Sequence, residues 1–119
     1  MVNYKNYTVW QKSHHLVLKI YKTTGAFQKS EQFNFVSQIN RTALSIPTNI
    51  AEGCGRETQK ELIRFLYIAS GSAHELDYLI LASTELGFVK KVDSENLIKN
   101  VDEIKKMLFS LIKTIKKTL

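Results

Sequence analysis

Apolar residues along this chain recur at alternating steps of three and four, the spacing that lays a stripe along one face of an α-helix. The first stretch is Val9, Ser13, Leu16, Ile20 and Thr23, with Trp10, Val17 and Tyr21 widening it. Thr8 and Gln11 have the spacing of a capping box at its start, and Gly25 is placed to end it. Residues 26–34 then form a connection. The second stretch is Val36, Ile39, Ala43, Ile46 and Ile50. Pro47 falls inside it, yet the apolar phase holds across the proline, which predicts one helix kinked at Pro47 and not two. Gly53 and Gly55 supply permissive backbone for its exit.

Thr58 and Glu61 form a second capping box ahead of the longest stretch. Leu62, Leu66, Ala69, Ala73, Leu76, Ile80 and Ser83 make its seam. Phe65, Ile68, Leu79, Ala82 and Leu86 form a second stripe beside that seam, an apolar arc wide enough to face more than one neighbour. Ala69, Gly71, Ser72 and Ala73 leave room at mid-helix for a close approach, and Gly87 is the stop. The fourth helix is expected from about Asp93, with Leu97, Val101, Ile104, Leu108, Leu111 and Ile115 as its seam. The prediction is all-α: a single domain over residues 1–119, folded as an up-and-down antiparallel four-helix bundle.

Composition agrees. Five glycines and one proline in 119 residues are few for a turn-rich β fold. One cysteine, Cys54, excludes an intrachain disulfide and a thiolate zinc cage. The polar start, Val2-Asn3-Tyr4-Lys5, does not resemble a signal peptide, and no apolar run reaches the ~20 residues of a membrane span. The expected location is cytoplasmic, with no membrane partner. Charge adds a direction: 17 Lys and Arg against 11 Asp and Glu, net +6, favour polyanions as partners.

The usual chemical signatures are not met. His14 and His15 point about 100° apart on a helix, and His74 has no ligand-type residue at helical spacing, so no metal or other cofactor is expected. Cys54 lies in a glycine turn without a nucleophile elbow, and Gly53-Cys54-Gly55-Arg56 lacks phosphate-loop spacing. No catalytic residue is assigned. Two basic arrays remain. Arg56, Lys60 and Arg64 form a ridge at the start of helix three, with Glu57 and Glu61 alongside. Lys99, Lys106, Lys113 and Lys117 lie opposite the seam of helix four, and Lys105 and Lys116 add to that positive third. Such arrays are either solvated faces or, repeated around an oligomer, a belt for a polyanion. A polar face on helix two, Gln38, Arg41, Ser45, Asn49 and Glu52, is either wet or a contact with another subunit. Glu75 is the candidate partner of Arg41.

The segment Ser45-Ile46-Pro47-Thr48-Asn49-Ile50-Ala51-Glu52-Gly53-Cys54-Gly55-Arg56 resembles the signature of a four-helix-bundle family first noticed in intervening sequences of bacterial 23S ribosomal RNA genes. Trp10-Gln11-Lys12, Ile20-Tyr21, Phe27, Gln38-Ile39, Arg41, Phe65-Leu66, Ala69, Gly71-Ser72 and Glu75-Leu76 extend the resemblance over nearly the whole chain. That family is similar to the accessory protein of diversity-generating retroelements, a basic pentameric barrel that binds nucleic acid and a reverse transcriptase. The resemblance therefore implies a homopentamer and carries over no catalytic residue. Arg41, Ser45, Pro47, Asn49, Glu52, Gly53, Gly55 and Arg56 transfer as signature positions. Two departures stand out: Asn40-Arg41 where many members have two basic residues, and Phe27-Gln28 where they have a proline after the phenylalanine.

The function expected from the sequence is a non-enzymatic, homo-oligomeric, nucleic-acid-binding accessory protein, with RNA ahead of DNA. Binding would be electrostatic, through Arg56, Lys60, Arg64 and the helix-four lysines Lys99, Lys106, Lys113 and Lys117. No exposed aromatic platform for bases is apparent. The alternative is a scaffold whose oligomer docks a protein partner.

Overall fold

Four helices, α1 Thr8–Thr24, α2 Ser37–Cys54, α3 Gln59–Glu85 and α4 Lys91–Lys116, carry the four stripes. The computed structural model describes residues 2–27 and 29–119, the side chains of residues 31–33 excepted, and among these there is no strand. Gln28, one of the two departures from the family pattern, lies outside them. The extensive contacts run α1–α2, α2–α3, α3–α4 and α4–α1, so helices adjacent in sequence pack side by side and the ring closes. The bundle measures 46 × 22 × 19 Å. Its long dimension is set by α3 and α4, each about 40 Å by helical rise.

The seams are the core. Leu16, Ile20, Ile39, Ile46, Ile50, Leu66, Leu76, Val101, Ile104 and Leu108 are almost fully buried. At the edges the rotation differs from expectation: Thr24 and Ile112 are buried, while Tyr21, Ile68 and Leu86 are exposed. Helix α3 thus buries one full stripe and only part of the second, because it has a helix on two sides and not on the third.

Helix ends follow local chemistry, with two corrections. Thr58 accepts from the Glu61 N–H at 3.1 Å, as its box predicts. The Thr8–Gln11 box does not form. Tyr7 is the N-cap of α1 without a side-chain bond, and Gln11 Nε2 donates instead to the Lys5 carbonyl at 2.8 Å. The reason is the tight turn over Tyr4–Asn6, which brings that carbonyl into reach. Helix α4 begins at Lys91, two residues ahead of Asp93, which lies in its first turn. Gly87, at φ +81°, ends α3 in a Schellman turn, with Phe88 N–H on the Ser83 carbonyl and Gly87 N–H on that of Thr84. Phe88 then packs against Phe27 and Phe35.

Helix α2 runs unbroken through Pro47, whose missing N–H leaves the Ala43 carbonyl without its helical donor. Gly53 requires a different account from the one its sequence context suggests. It is inside α2, buried and without positive φ, so it supplies no turn. A β-carbon there would come within 2.8 Å of Phe65 Cβ and 3.0 Å of Leu62 Cδ1. Gly53 is the point at which α2 lies against α3.

Gly53→Ala is therefore expected to destabilise by about 1–3 kcal/mol, against the gain of up to ~1 kcal/mol that alanine normally brings inside a helix. Gly55→Ala, whose β-carbon would meet no atom closer than 3.4 Å, is expected to be neutral or slightly stabilising. Urea unfolding of both variants measures this, and a Gly53→Ala variant as stable as the parent would refute the close approach.

Candidate nucleic-acid interface

The signature residues mostly assemble the α2–α3 seam. Asn49 Nδ2 donates to the Ser45 carbonyl at 2.8 Å and to Ser45 Oγ at 3.0 Å, and Ser45 Oγ pairs with Ser72 Oγ across the seam at 2.8 Å. Pro47 is buried, Gly53 touches Phe65, and Gly55 caps α2. Arg56 places its guanidinium 4.7 Å from the centroid of the Phe65 ring. The expected Arg41–Glu75 pair gives way to another: Glu75 Oε2 accepts from Thr42 Oγ1 at 2.9 Å, because Thr42 is on the turned-in side of α2. Arg41 is exposed in the same polar groove, and Glu52 is exposed on the outer face. Asn40, at the other departure from the family pattern, accepts from Thr24 Oγ1 at 2.8 Å and ties α1 to α2.

The antiparallel arrangement sorts the charge. One half of the bundle combines residues 2–16, 46–72 and 104–119 and holds ten Lys and Arg against three Glu; the other half holds seven against eight acids. The entire positive surplus is therefore at the end shared by the α1 and α3 N-termini and the α2 and α4 C-termini. Thr118 Oγ1, donating to Gln59 Oε1 at 2.7 Å, ties the end of α4 to the start of α3 there.

Within that half the two arrays converge. Arg56, Lys60 and Arg64 are all exposed. Arg56 is drawn toward Glu61 at 3.9 Å, a surface pair worth at most about 1 kcal/mol. Lys60, Arg64 and Tyr67 share one shallow surface, and Tyr67 also borders the groove between α3 and α4 that Lys106, Lys113 and Lys116 line. Lys117 is exposed one residue further on. Lys99 stands apart: it is on the same face of α4 but among Glu95, Asp102 and Glu103, in the half without surplus charge. Lys105 is also withdrawn, 19% exposed and paired with Asp77 and Asp102. Tyr67 and Phe109, which no pattern in the sequence singles out, are 50% and 70% exposed and border the basic groove.

Among the described residues no three His, Cys, Asp or Glu side chains gather in a cluster that could hold a metal ion. Trp10 stacks on His14 at 5.1 Å, and His15 and His74 each bond through Nδ1 to a carbonyl one turn back. Cys54 is 3% exposed, and burial pushes its thiol above the ordinary value of 9.0. Burial, and after it the nearby Cys54, also raise the Tyr7 hydroxyl above 10.0. Both groups keep their protons in the folded chain at a pH where the unfolded chain loses them, so stability is intact below pH ~9 and falls above it. Alkylation of Cys54 is expected to be on the order of 100-fold slower than that of an exposed thiol, accelerating only with unfolding. Fast labelling of the folded protein at neutral pH would refute this burial.

Comparison with known proteins places this geometry. A family model described as 23S rRNA-intervening sequence protein matches residues 5–110. The fold is similar, at a TM-score of 0.82 and 26% identity, to the crystal structure of a protein of unknown function from the S23 ribosomal protein family of Bacteroides thetaiotaomicron. That match covers 88% of this chain and 95% of the other. No curated protein matches the chain. Among the described residues no helix is long and apolar enough to cross a membrane. With the signature segment forming the α2–α3 seam and the family model running from the start of α1 into α4, the chain belongs to the family of 23S rRNA-intervening sequence proteins.

Proposed function

We propose that the protein is a non-enzymatic, homo-oligomeric accessory protein of the cytoplasm that binds nucleic acid, RNA first, chiefly by electrostatics. The observation that carries this reading is the one-sided charge, ten basic residues against three acidic in one half of the bundle. A surface charged only for solubility needs no such sorting, whereas a phosphate chain gains from every cation it meets in one field. Arg56, Lys60, Arg64, Lys106, Lys113 and Lys117 are the contributing residues, and Lys99 contributes least because acids surround it.

Self-association is the second part of the reading, with the homopentamer that the family resemblance implies as the proposed assembly. Its support is the outer face of α3. Ile68 is 42% exposed, and Gly71, a residue that costs helix stability in water, has nothing within 4 Å of its missing β-carbon. Several copies would join their basic ends into a continuous field. The same exposed face favours the alternative, a scaffold that docks a protein and meets nucleic acid incidentally.

Titration against a labelled structured RNA and a matched DNA distinguishes the two readings. Binding is expected to weaken about 100- to 1000-fold between roughly 50 and 200 mM salt, and to be lost in a Lys60→Glu/Arg64→Glu variant that still folds. Absence of binding at the lowest salt, or affinity that survives both salt and charge reversal, would defeat the polyanion reading.

A further inference from the structure

We propose that the groove between α3 and α4 is a binding site for single-stranded nucleic acid, taking phosphates on Lys106, Lys113 and Lys116 and stacking unpaired bases on Phe109 and Tyr67. The inference rests on the nucleic-acid reading above and names its site and its preferred strand form.

Three observations carry it. The groove, about 680 Å³, is bordered among the described residues by lysines and no acid. The two acids beside it, Asp77 and Asp102, are both paired with Lys105. The preceding stretch of the same helix shows the ordinary pattern, with Lys99 placed among Glu95, Asp102 and Glu103, and Lys106 stands at the border between the two. The positive field of this groove is therefore a local property and not a general feature of α4.

Aromatic exposure is the second observation. Phe109 is 70% exposed and Tyr67 50% exposed, on facing helices that border the same groove as those lysines. Leaving a phenylalanine in water forfeits the burial that usually keeps it inside. An acidic peptide would answer the lysines and leave both rings without a planar partner. A duplex would answer the lysines too, but its bases are stacked on one another and unavailable. Unpaired nucleotides answer both, since each carries one phosphate and one aromatic face.

The third observation is a cation–π contact already in place. Lys116 Nζ is 5.0 Å from the Tyr67 ring centroid and also reaches the Tyr67 hydroxyl. This holds the Tyr67 ring and a phosphate-binding cation in one unit. Tyr67 also borders the surface of Lys60 and Arg64, so a strand leaving the groove passes onto the other basic array. His74 Nδ1 is bound to the Ser70 carbonyl at 2.8 Å, which leaves Nε2 as the ring nitrogen available to a ligand on the same α3 wall as Tyr67.

The test uses the full chain and fluorescence anisotropy with a labelled oligouridylate of about ten nucleotides, a duplex RNA of the same length, and polyglutamate as competitor. The single strand is expected to bind at least about fivefold more tightly than the duplex, and Phe109→Ala and Tyr67→Ala each to weaken it about fivefold or more at every salt concentration. Lys113→Glu/Lys116→Glu is expected to flatten the salt dependence instead. Circular dichroism melting of each variant establishes that it folds, which exposed positions allow. Equal binding of duplex and single strand with neutral aromatic variants would overturn the groove while leaving the electrostatic reading standing. Equal competition by polyglutamate would overturn it in favour of an acidic protein segment. No binding of any nucleic acid would overturn both.

Discussion

The contact of Gly53 with Phe65 sets the spacing of the two helices on which the rest of the molecule depends. With no side chain on α2 at that point, Phe65 Cβ and Leu62 Cδ1 occupy the space that a β-carbon would need. This brings α2 near enough to α3 for Ser45 and Ser72 to share a hydrogen bond further along the seam, with Asn49 holding Ser45 in place. Phe65, fixed by that packing, is in turn the surface against which the Arg56 and Arg64 guanidinium groups rest, at 4.7 and 5.6 Å. A packing constraint at one glycine thus fixes where the first basic array points. Substituting at Gly53 changes the scaffold and the surface together, whereas substituting at Lys60 or Lys113 changes the surface alone.

Above that scaffold, topology does what no local motif does. Residues 56–64 and 106–117 are far apart in the chain, and only the antiparallel ring places them at one end. Acids and lysines from different helices cancel one another where the two halves meet, as Lys12 with Glu103 and Lys105 with Asp77, so two of the ten basic residues of the basic half are already paired. These pairs tie α1 and α3 to α4 and remove their charges from the surface available to a ligand. What is left uncancelled is a basic end with two exposed aromatic rings at its edge.

Much of the fold was legible because helices write their buried face in a repeat of three and four. Every seam residue predicted for α3 is buried, Gly87 takes the left-handed turn, and Thr58 caps as its box foretells. The site was legible only in part. Ser45 and Asn49 read as either a wet face or a contact with another subunit, since a polar pair that bonds across a seam within the bundle has the same residue types as either. Tyr67 and Phe109 read as neither core nor platform, because a rotation of some tens of degrees about the helix axis decides whether an aromatic beside an apolar seam is buried. Lys99 and Lys113 carry equal weight in a sequence count, and only the acids around Lys99 distinguish them. Arg41 and Glu75 were a plausible pair by charge, but side-chain direction on α2 gives Glu75 to Thr42.

The central claim is a division of labour, in which the signature on α2 holds the seam and the basic aromatic surface of α3 and α4 meets the ligand. Backbone amide chemical shifts of the labelled protein, recorded while single-stranded RNA is added, test this most directly. The account predicts perturbations concentrated at residues 60–67, 74 and 106–117, with the Ser45 to Glu52 segment nearly unchanged. Perturbations centred on the polar groove of Gln38, Arg41 and Ser45, with the α3–α4 groove silent, would contradict it.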